Sequence, residues 1–562
     1  MLIEPVEVEM PRVALPVLER ARARISGSGA AAELLRWHLE ALGAAVEHVG
    51  PCPAERAATV QLRTPDQRRE LVVEWAGPVA GVVDEATAQA LCGVMHVHGR
   101  RDGRPRGMGV DLCSTAAAAL GLTGLLASLL DGRLDAEVRT SAAEAALLAV
   151  SQHLAAAGAE DPEAVPLEPG GGPFTSADGV VFEIESLRPE PWGQFWSLAG
   201  AAKSAFARSW RPFQFRYATG TAPVDRSLYA TAARWSFGEL SALAEESGVD
   251  IARVRIGEPA PSERPLPWTL RQQGTEPRTL RGEPQAPLRG ARVLEAGRRV
   301  QAPLAARVLD LLGATTTRVE PPGGDPMRGM PPSCGGTSAR WLALNRGKDA
   351  VELDIKSPQD RADLARRAED ADVFLHNWAP GKPESLGLGA RDLPDHLVHV
   401  HASALGGHDV PDPPLGTDFM VQARSGLAEQ IRPHGTDPQP SLMTALDVLG
   451  GLLAAESAVA ALLHRTRTGG VEVDSGLFGA AAALRLPLLG QPLLAAGTAR
   501  RPAGFREPRR TGDGWTAHPD GGGDPVAVTD DLAALPADPR FTPVLTRDEL
   551  GCPAVRAPWR FS

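Results

Sequence analysis

The chain has 562 residues, of which 43% are hydrophobic and 23% charged, and its formal net charge is -11. A chain of this length exceeds a single compact core, so we expect a soluble globular protein with two to four domains. The negative charge balance argues against a nucleic-acid partner, whose phosphates require a basic face.

The cysteines and the apolar segments favour a cytoplasmic location. The five cysteines are scattered without CxxC spacing, which predicts reduced thiols and neither disulfides nor a metal site: Cys52, Cys92, Cys113, Cys334 and Cys552. The N-terminus lacks the basic-then-apolar order of a signal peptide. Two apolar runs, 114–130 and 448–463, are rich in Ala and Gly and fall short of the roughly 20 residues of a membrane span, so we expect buried helices and no membrane partner.

The first half of the chain predicts two units and a linker. Residues 1–160 contain a helix that ends in Leu-Gly-Ala (42–44) and a long small-residue helix after Asp111. Residues 161–256 combine a turn at Asp178-Gly179 with strands and helices, which predicts a small α+β domain. Residues 257–287 are Pro-dense and polar, without apolar periodicity, and are interpreted as an interdomain linker.

The second half predicts a larger α/β domain. Residues 288–490 alternate short β-branched strands with helices, a pattern typical of a doubly wound, Rossmann-like parallel sheet. Residues 491–562 are interpreted as a loop and a C-terminal tail that returns to this large domain.

The two halves share a repeat. Residues 30–51 parallel 303–322, and residues 107–147 parallel 442–484, in the same order. Aligned in this way, Asp111 and Asp447 each precede a long apolar helix, a polar turn, a short strand and an Ala-rich helix. We therefore expect 1–160 to be a degenerate copy of the large domain of 288–490.

Motifs of the second copy occur in an order that points to one family. They include Val-Glu-Pro-Pro-Gly-Gly-Asp-Pro (319–326), Leu-Asn-Arg-Gly-Lys (344–348), Asn-Trp-Ala-Pro-Gly (377–381) and Asp447 followed by Gly450-Gly451. In this order they resemble the family III CoA-transferases, the superfamily of formyl-CoA transferase, carnitine CoA-transferase and α-methylacyl-CoA racemase.

The resemblance implies an activity and a nucleophile. Members of this family move coenzyme A from an acyl-CoA donor to a carboxylic acid acceptor through an aspartyl anhydride and an aspartyl-CoA thioester. Asp447 matches that aspartate. A carboxylate suits this role because at its ordinary pKa it is ionised at neutral pH without a base. No metal is expected.

The resemblance also implies coenzyme A contacts. They are carried over to Gln301, Ala302, Asn345, Arg346, Gly347, Lys348, Asn377, Trp378, Ala379 and Asp418. Lys348, one of few lysines, is the expected phosphate partner. Two arginines of the family pattern are absent, since Pro321 and Ser385 stand in their places.

Three alternatives remain open at this point. Racemases of the superfamily carry a His directly before the Asp of a Gly-His-Asp motif, where Thr417 stands here, and threonine cannot exchange an α-proton near neutral pH. This favours a transferase over a racemase or isomerase. The absent arginines keep a catalytically inactive coenzyme A-binding protein as the third interpretation.

The family forms interlocked dimers, and the two copies have complementary deficits. The first copy keeps the small domain and the second keeps the complete large domain. We therefore expect a fused pseudo-dimer with one working site, formed by Asp447, 288–490 and the small domain, with Asp111 as a vestigial counterpart. Whether two such chains form a further homodimer is left open.

Overall fold

The computed structural model describes residues 15–257, 265–408, 410, 415–432, 436–488 and 504–562. The N-terminal residues 1–14, part of the predicted linker and the predicted boundary at 490 lie outside them. In these described residues, two large sheets of six and seven strands are accompanied by four small sheets of two or three strands.

Residues up to 160 form the first large unit. Its elements are β1 (Arg22–Gly27), α1 (Ala30–Ala41), β2 (Ala45–His48), β3 (Arg56–Arg63), β4 (Arg68–Glu74), α2 (Glu85–Leu91), α3 (Val94–Gly99), a 3-10 helix (Arg100–Asp102), α4 (Leu112–Ser128), β5 (Asp135–Ser141), α5 (Ala142–Ala149) and α6 (Ser151–Ala157). The small unit follows with β6 (Phe174–Thr175), β7 (Val181–Glu185), α7 (Pro189–Leu198), α8 (Lys203–Thr219), α9 (Arg226–Ala232), α10 (Phe237–Ser247) and β8 (Asp250–Arg253).

The second large unit begins with β9 and continues to the gap before residue 504. Its elements are β9 (Trp268–Gln272), β10 (Arg292–Ala296), α11 (Gln301–Leu311), β11 (Thr315–Glu320), a 3-10 helix (Pro326–Gly329), β12 (Ser333–Cys334), β13 (Thr337–Ser338), α12 (Ala339–Asn345), β14 (Asp349–Glu352), α13 (Pro358–Asp370), β15 (Val373–His376), α14 (Lys382–Ser385), β16 (Val398–Ser403), α15 (Asp418–Ser425), α16 (Leu427–Ile431), α17 (Ala445–Thr468), β17 (Val471–Gly476), α18 (Leu477–Arg485) and a 3-10 helix (Leu486–Leu488).

Short strands make up the rest of the chain. They are β18 (Arg509–Thr511), β19 (Gly514–Ala517), β20 (Val526–Ala527), β21 (Leu545–Arg547), β22 (Pro553–Val555) and β23 (Arg560–Phe561), with a 3-10 helix (Leu532–Ala537) between β20 and β21.

The second sheet is doubly wound. Its order is β14-β11-β10-β15-β16-β17-β9, and every neighbouring pair is parallel except β17 with β9. Side chains alternate along each strand: Val293 faces the core of α11 and α17, whereas Leu294 faces the core of α13. Helices therefore cover both faces, and the predicted α/β class is confirmed.

The first sheet is a reduced copy. Its order is β2-β1-β3-β4-β5-β23; β1 pairs with β2, and β4 with β5, in parallel, but β3 runs antiparallel to both neighbours. Ala23 and Ile25 face the core of α1 and α4, while Arg22 and Arg24 on the opposite face of β1 are exposed. The two copies are unequal, as the sequence predicted.

The two long apolar helices pack against each other at the centre of the molecule. All of α4 is buried, and α17 is buried except for Asp447 and positions in its last turns. One hydrophobic core extends from the first sheet through α1, α4, α17 and α11 to the second sheet. In the described part of the chain, α17 is the one helix long and apolar enough to cross a membrane, and most of its apolar length is buried inside the protein.

Two predictions about the connecting segments are wrong. The segment interpreted as a linker contributes β9, because Trp268 and Leu270 bury their side chains while the backbone pairs with β17. The chain's last strand, β23, pairs with β5 of the first sheet and does not return to the second. A Pro-Trp pair stands at or just before the start of both strands: Pro267-Trp268 at the start of β9, and Pro558-Trp559 before β23. The strand after the small unit thus closes the second sheet, and the last strand closes the first.

Candidate active site

Asp447 is the third residue of α17, and Thr444, the residue that precedes this helix, has an unusual backbone conformation. Thr444 precedes the helix with a φ of 55°, in the left-handed region that a branched residue rarely adopts. Asp447 therefore lies inside the first helical turn and does not cap it. The cap comes from α15, where Asp418 Oδ2 accepts a hydrogen bond of 2.8 Å from the backbone N–H of Asp447.

The Gly450-Gly451 pair lets α17 approach α11. A Cβ at Gly451 would lie 2.8 Å from the carbonyl oxygen of Gln301, and one at Gly450 would lie 3.0 Å from Gln301 Nε2. This close contact, together with the cap from Asp418, fixes the first turn of α17 relative to the second sheet.

Asp447 lines a narrow cleft of about 20 Å³ between two parts of the chain. The second large unit supplies Asp447, Arg299, Thr417, Asp418, Phe419 and Thr444, and the small unit supplies Glu185, Ser186, Gln214, Arg216 and Tyr217. These are the two segments that the sequence analysis combined into one site.

Charges in the cleft are only partly paired. Glu185 forms an ion pair with Arg216 at 3.0 Å and accepts a hydrogen bond of 2.8 Å from the Thr417 hydroxyl. The guanidinium of Arg299 lies over the ring of Tyr217, 5.2 Å from its centroid. Arg299 also has a positive φ, 63°, in the turn that follows the first parallel strand β10.

The cleft changes the acidity of its two aspartates. Burial raises the pKa of Asp447 well above its usual range; the negative charge of Asp418 raises it further, whereas Arg299 lowers it. Burial also raises the pKa of Asp418, to about 6, although hydrogen bonds from Gln422 and from the first turn of α17 lower it. The surroundings therefore raise the pKa of Asp447 above that of the ordinary carboxylate that the sequence analysis expected.

Two predicted coenzyme A contacts lie in a buried polar network. The Lys348 ammonium group is inaccessible and donates to Glu295 at 2.9 Å and to Asn345 Oδ1 at 3.0 Å. Asn345 Oδ1 also accepts from Arg318 at 3.1 Å. Lys348 is therefore a structural residue in this conformation, and its expected role as a phosphate partner is wrong, because buried Glu295 already binds its charge.

The remaining predicted contacts lie outside the Asp447 cleft, except for Asp418. Gln301 and Ala302 are buried at the start of α11, and Gln301 Nε2 donates to the Ser403 carbonyl at 3.1 Å. Arg346 forms an ion pair of 2.7 Å with Asp548, and Gly347 is exposed.

The loop after β15 is tied to the loop after β10. Asn377 accepts from the Arg298 N–H at 2.9 Å and donates to its carbonyl at 2.8 Å. Trp378 stacks on His376 with ring centroids 5.1 Å apart, and Ala379 is exposed. These residues lie at the carboxyl ends of parallel strands, where α/β sheets bind their ligands.

Sequence reasoning missed Arg299, Tyr217, Arg216 and Glu185. A signal existed for Arg299, because Arg298 and Arg299 directly follow the first strand of a parallel sheet. The small-unit residues carried no comparable signal, since they reach Asp447 only through the arrangement of the two units.

The first copy repeats the helix-capping arrangement without the nucleophile. Glu85, the first residue of α2, accepts hydrogen bonds of 2.8 Å from the N–H groups of Cys113 and Ser114, the second and third residues of α4. Gln89 donates to Glu85 four positions away, as Gln422 does to Asp418. Ser114 therefore occupies the structural position of Asp447.

Asp111 is not the counterpart of Asp447, which corrects the sequence alignment. It lies one helical turn earlier, at the residue before α4, where Thr444 stands in the second copy. Its carboxylate forms an ion pair of 2.7 Å with Arg506, which also binds Asp520. A chain of alanines and leucines offers few landmarks, so the shift was invisible in the sequence.

Comparison with known proteins agrees with these observations. The family model CoA-transferase family III matches residues 81–261 and 288–521. A probable fatty acyl-CoA transferase of Mycobacterium tuberculosis, Rv3272, is 36% identical over 200 residues, which cover 34% of this chain and 50% of the relative. The succinyl-CoA:glutarate CoA-transferase of Mus musculus is 34% identical over 208 residues, covering 35% of this chain and 48% of the relative.

A solved structure is also similar. The crystal structure of a CAIB/BAIF family protein from Brucella suis is 25% identical and covers 46% of this chain and 73% of that one, with a TM-score of 0.38. The chain spans about half the length of the curated relatives it matches. Because the family model matches most of the chain, in two blocks that follow its two copies, this protein belongs to CoA-transferase family III.

Proposed function

We propose that this protein transfers coenzyme A from an acyl-CoA donor to a free carboxylic acid, with Asp447 as the covalent nucleophile. The supporting observation is the position of Asp447: it opens into a cleft between the second large unit and the small unit, on the capped first turn of a buried helix. The family supplies the class of reaction, and the cleft supplies a place for it.

The proposed steps conserve atoms and charge. The Asp447 carboxylate attacks the thioester carbonyl, the C–S bond breaks, and coenzyme A leaves as a thiolate from the resulting mixed anhydride. The thiolate then attacks the aspartyl carbonyl and releases the donor carboxylate. The acceptor carboxylate attacks the aspartyl-CoA thioester in the same manner, and the returning thiolate attacks its acyl carbonyl, which regenerates Asp447.

Neighbouring residues prepare the nucleophile. Asp418 holds the backbone of Asp447 and is a positioning residue. Arg299 lowers the pKa of Asp447 and so favours its reactive carboxylate form against burial. The small unit forms one wall of the cleft; a site that excludes water suits the anhydride, because hydrolysis would waste the thioester.

We also propose where coenzyme A lies. Gly347, Asn377, Trp378 and Ala379 belong to loops at one end of the second sheet, near the exposed Arg298. We retain the backbone of these residues and the Trp378 ring as proposed contacts with coenzyme A. The other predicted residues are proposed to support these loops from the interior: Gln301, Ala302, Asn345, Arg346 and Lys348. The first copy has Ser114 where the second has the carboxylate of Asp447, so we propose one working site in a fused pseudo-dimer.

Trapping the covalent intermediate tests this proposal. Incubation with acyl-CoA and hydroxylamine is expected to convert Asp447 to a hydroxamate, detected by peptide mass spectrometry. Asp447→Asn is expected to lower the rate of coenzyme A transfer by at least about 1,000-fold, a magnitude typical of the loss of a covalent nucleophile. Ser114→Ala serves as the matched control in the first copy and is expected to retain transfer.

Two outcomes would contradict the proposal. Tight coenzyme A binding with no labelled aspartate indicates a binding protein without catalysis. Exchange of the substrate α-proton in deuterated water, without any acceptor acid, indicates a racemase or isomerase.

A further inference from the structure

A segment of the first copy binds the chain that leads into α17. His98, near the end of α3, shares a hydrogen bond of 2.9 Å between its Nδ1 and the hydroxyl oxygen of Ser441. Arg101, in the 3-10 helix that follows α3, donates to the carbonyl oxygen of Pro440. The last residues before α17 are therefore held in part by the other half of the chain.

Through its hydroxyl group, Ser441 supports a strained turn. The oxygen accepts a hydrogen bond of 3.3 Å from the backbone N–H of Met443, the residue before Thr444. Thr444 has a φ of 55° and lines the cleft. A branched residue keeps such a conformation only where its surroundings determine it. The contact with His98 is one of those surroundings, and Asp447 follows within one helical turn.

Through its backbone, Ser441 also reaches the residue that caps α17. The Gln422 side chain accepts from the Ser441 N–H at 2.7 Å and donates to the Ser441 carbonyl oxygen at 3.0 Å. The same amide donates to Asp418, which accepts from the backbone N–H of Asp447. A continuous series of hydrogen bonds thus runs from the first copy to the backbone of the proposed nucleophile.

The first copy repeats this scaffold without the polar contact. In the alignment that pairs α2 with α15 residue by residue, Met108 takes the place of Ser441, and Ile431 takes the place of His98. Both of these apolar side chains are fully buried in the shared core. An apolar pair is therefore sufficient to pack this junction, and the polar pair stands on the side that carries Asp447.

The polar pair also accompanies the strained turn. In the first copy, Asp111 takes the place of Thr444 and has an ordinary φ of -91°. Burial lowers the pKa of His98 to about 3, so its imidazole is neutral, and its buried Nε2 has no hydrogen-bond partner among the residues that the structure describes. Because an unpaired buried polar atom destabilises the folded state, packing alone does not explain a histidine at this position.

We propose that His98 of the first copy is a positioning residue of the transfer reaction and acts on Asp447 from the other half of the chain. Through Ser441 it holds the strained backbone at Thr444, and this turn keeps the Asp447 carboxylate in the cleft. The first copy thereby contributes to catalysis although it has no carboxylate at position 114. This inference rests on the proposed transferase function.

Rebuilding the apolar pair of the first copy tests the polar pair. In the double variant His98→Ile/Ser441→Met, both residues take the identity found at the matching positions, so the junction should still pack. With succinyl-CoA as donor and glutarate as acceptor, kcat is expected to fall by roughly 10- to 100-fold, the effect of a misplaced reacting group, while KM for succinyl-CoA changes by less than about threefold.

Single substitutions separate positioning from packing. Ser441→Ala removes only the hydroxyl group and should lower kcat by roughly tenfold. His98→Asn places an amide where Nδ1 lies and should keep kcat within about threefold of the wild-type value. His153→Leu, at another buried histidine of the first copy, is the control and should keep the wild-type kcat while lowering the temperature of thermal unfolding.

The outcomes separate this inference from the function on which it rests. A wild-type kcat in the double variant and in Ser441→Ala contradicts the role of His98 and leaves the transferase in place. An equal loss of kcat in His153→Leu also contradicts it, because the effect is then one of general destabilisation.

Two further results are decisive. If the double variant does not fold, Ser441→Ala and His98→Asn decide: a low kcat in the first with a near wild-type kcat in the second supports the positioning role, and any other pattern opposes it. If the wild-type enzyme transfers no coenzyme A and Asp447 is never labelled, the proposed function itself fails, and this inference fails with it.

Discussion

Asp447 and Asp418 form an acidic pair, in which Asp447 is the proposed nucleophile and Asp418 accepts a hydrogen bond from its backbone N–H. The same contact that orients the backbone of Asp447 also brings a second negative charge near its side chain. The pair therefore combines precise placement with an electrostatic cost, a combination found at many functional sites.

The acid side of the pH profile tests this pair. Because the pKa of Asp447 is raised, transfer is expected to fall as the pH decreases and the carboxylate becomes protonated. Asp418→Asn keeps an oxygen to accept the backbone N–H but removes the negative charge, so the acid limb of kcat/KM should shift to lower pH. The profile is measured between about pH 4.5 and 8. A limb that stays in place or moves to higher pH contradicts the electrostatic role.

At this scale the sequence singles out Asp447 because it stands in an ordered series of motifs, and its role as the nucleophile stays a prediction. The neighbours of Asp447 were less predictable from the sequence. Lys348 was misassigned because its partner Glu295 lies 53 positions away, and only the folded sheet brings the two charges to 2.9 Å. Arg299 was passed over because nothing in the sequence shows that Tyr217 supplies the ring beneath it.

Among the elements, strand β9 is buried and contacts distant parts of the chain, which its Pro-rich surroundings in the sequence did not predict. Trp268 is 1% exposed and meets the ring of His38 at 4.5 Å, and His38 in turn contacts Glu456 of α17 at 2.8 Å. A five-residue strand thus connects the second sheet with α1 of the first unit.

Removal of the Trp268 side chain is expected to destabilise the protein strongly. Trp268→Ala leaves a cavity in the shared core and should lower the free energy of unfolding by about 3–5 kcal/mol, measured by urea titration. Arg271→Ala, an exposed position on the same strand, is the control and should stay within about 0.5 kcal/mol. Equal losses from both variants mean that β9 is not part of the core.

The elements that sequence reasoning predicted are those with strong local patterns. The strand and helix alternation of 288–490 and the two buried apolar helices were predictable, because their periodicity is local. Strand β9 was missed because prolines surround it and its partner β17 begins about 200 residues later. The register of α4 against α17 was missed because small residues repeat without landmarks.

At the scale of the molecule, the described residues of the two unequal halves share one large hydrophobic core and line the candidate site together. The packing of α4 against α17 joins the halves, and the cleft takes Asp447 from one and Glu185 and Arg216 from the other. Neither half holds a complete set of cleft residues. The sequence analysis expected such a combined site from the complementary deficits of the two copies, but it could not predict that β23 pairs with β5 of the first sheet, which depends on how the sheets lie together.

Division of the chain between the halves tests this organisation. Residues 1–260 and 261–562, expressed together as separate chains, are expected to copurify in equal amounts, because β23 of the second fragment completes the sheet of the first and α4 of the first packs against α17 of the second. The complex should transfer coenzyme A, and the same complex with Asp447→Asn should assemble without activity. Fragments that purify apart, or an active 261–562 fragment alone, contradict a shared site.

The position of β23 has a consequence for biosynthesis. The outer edge of β5 receives its partner from Arg560 and Phe561, with backbone hydrogen bonds of 3.0 and 3.1 Å between Ser562 and Glu137. During translation that edge remains open long after β5 has left the ribosome, and an open strand edge attracts other strands. The nascent first half is therefore expected to depend on chaperones until β23 has been synthesised.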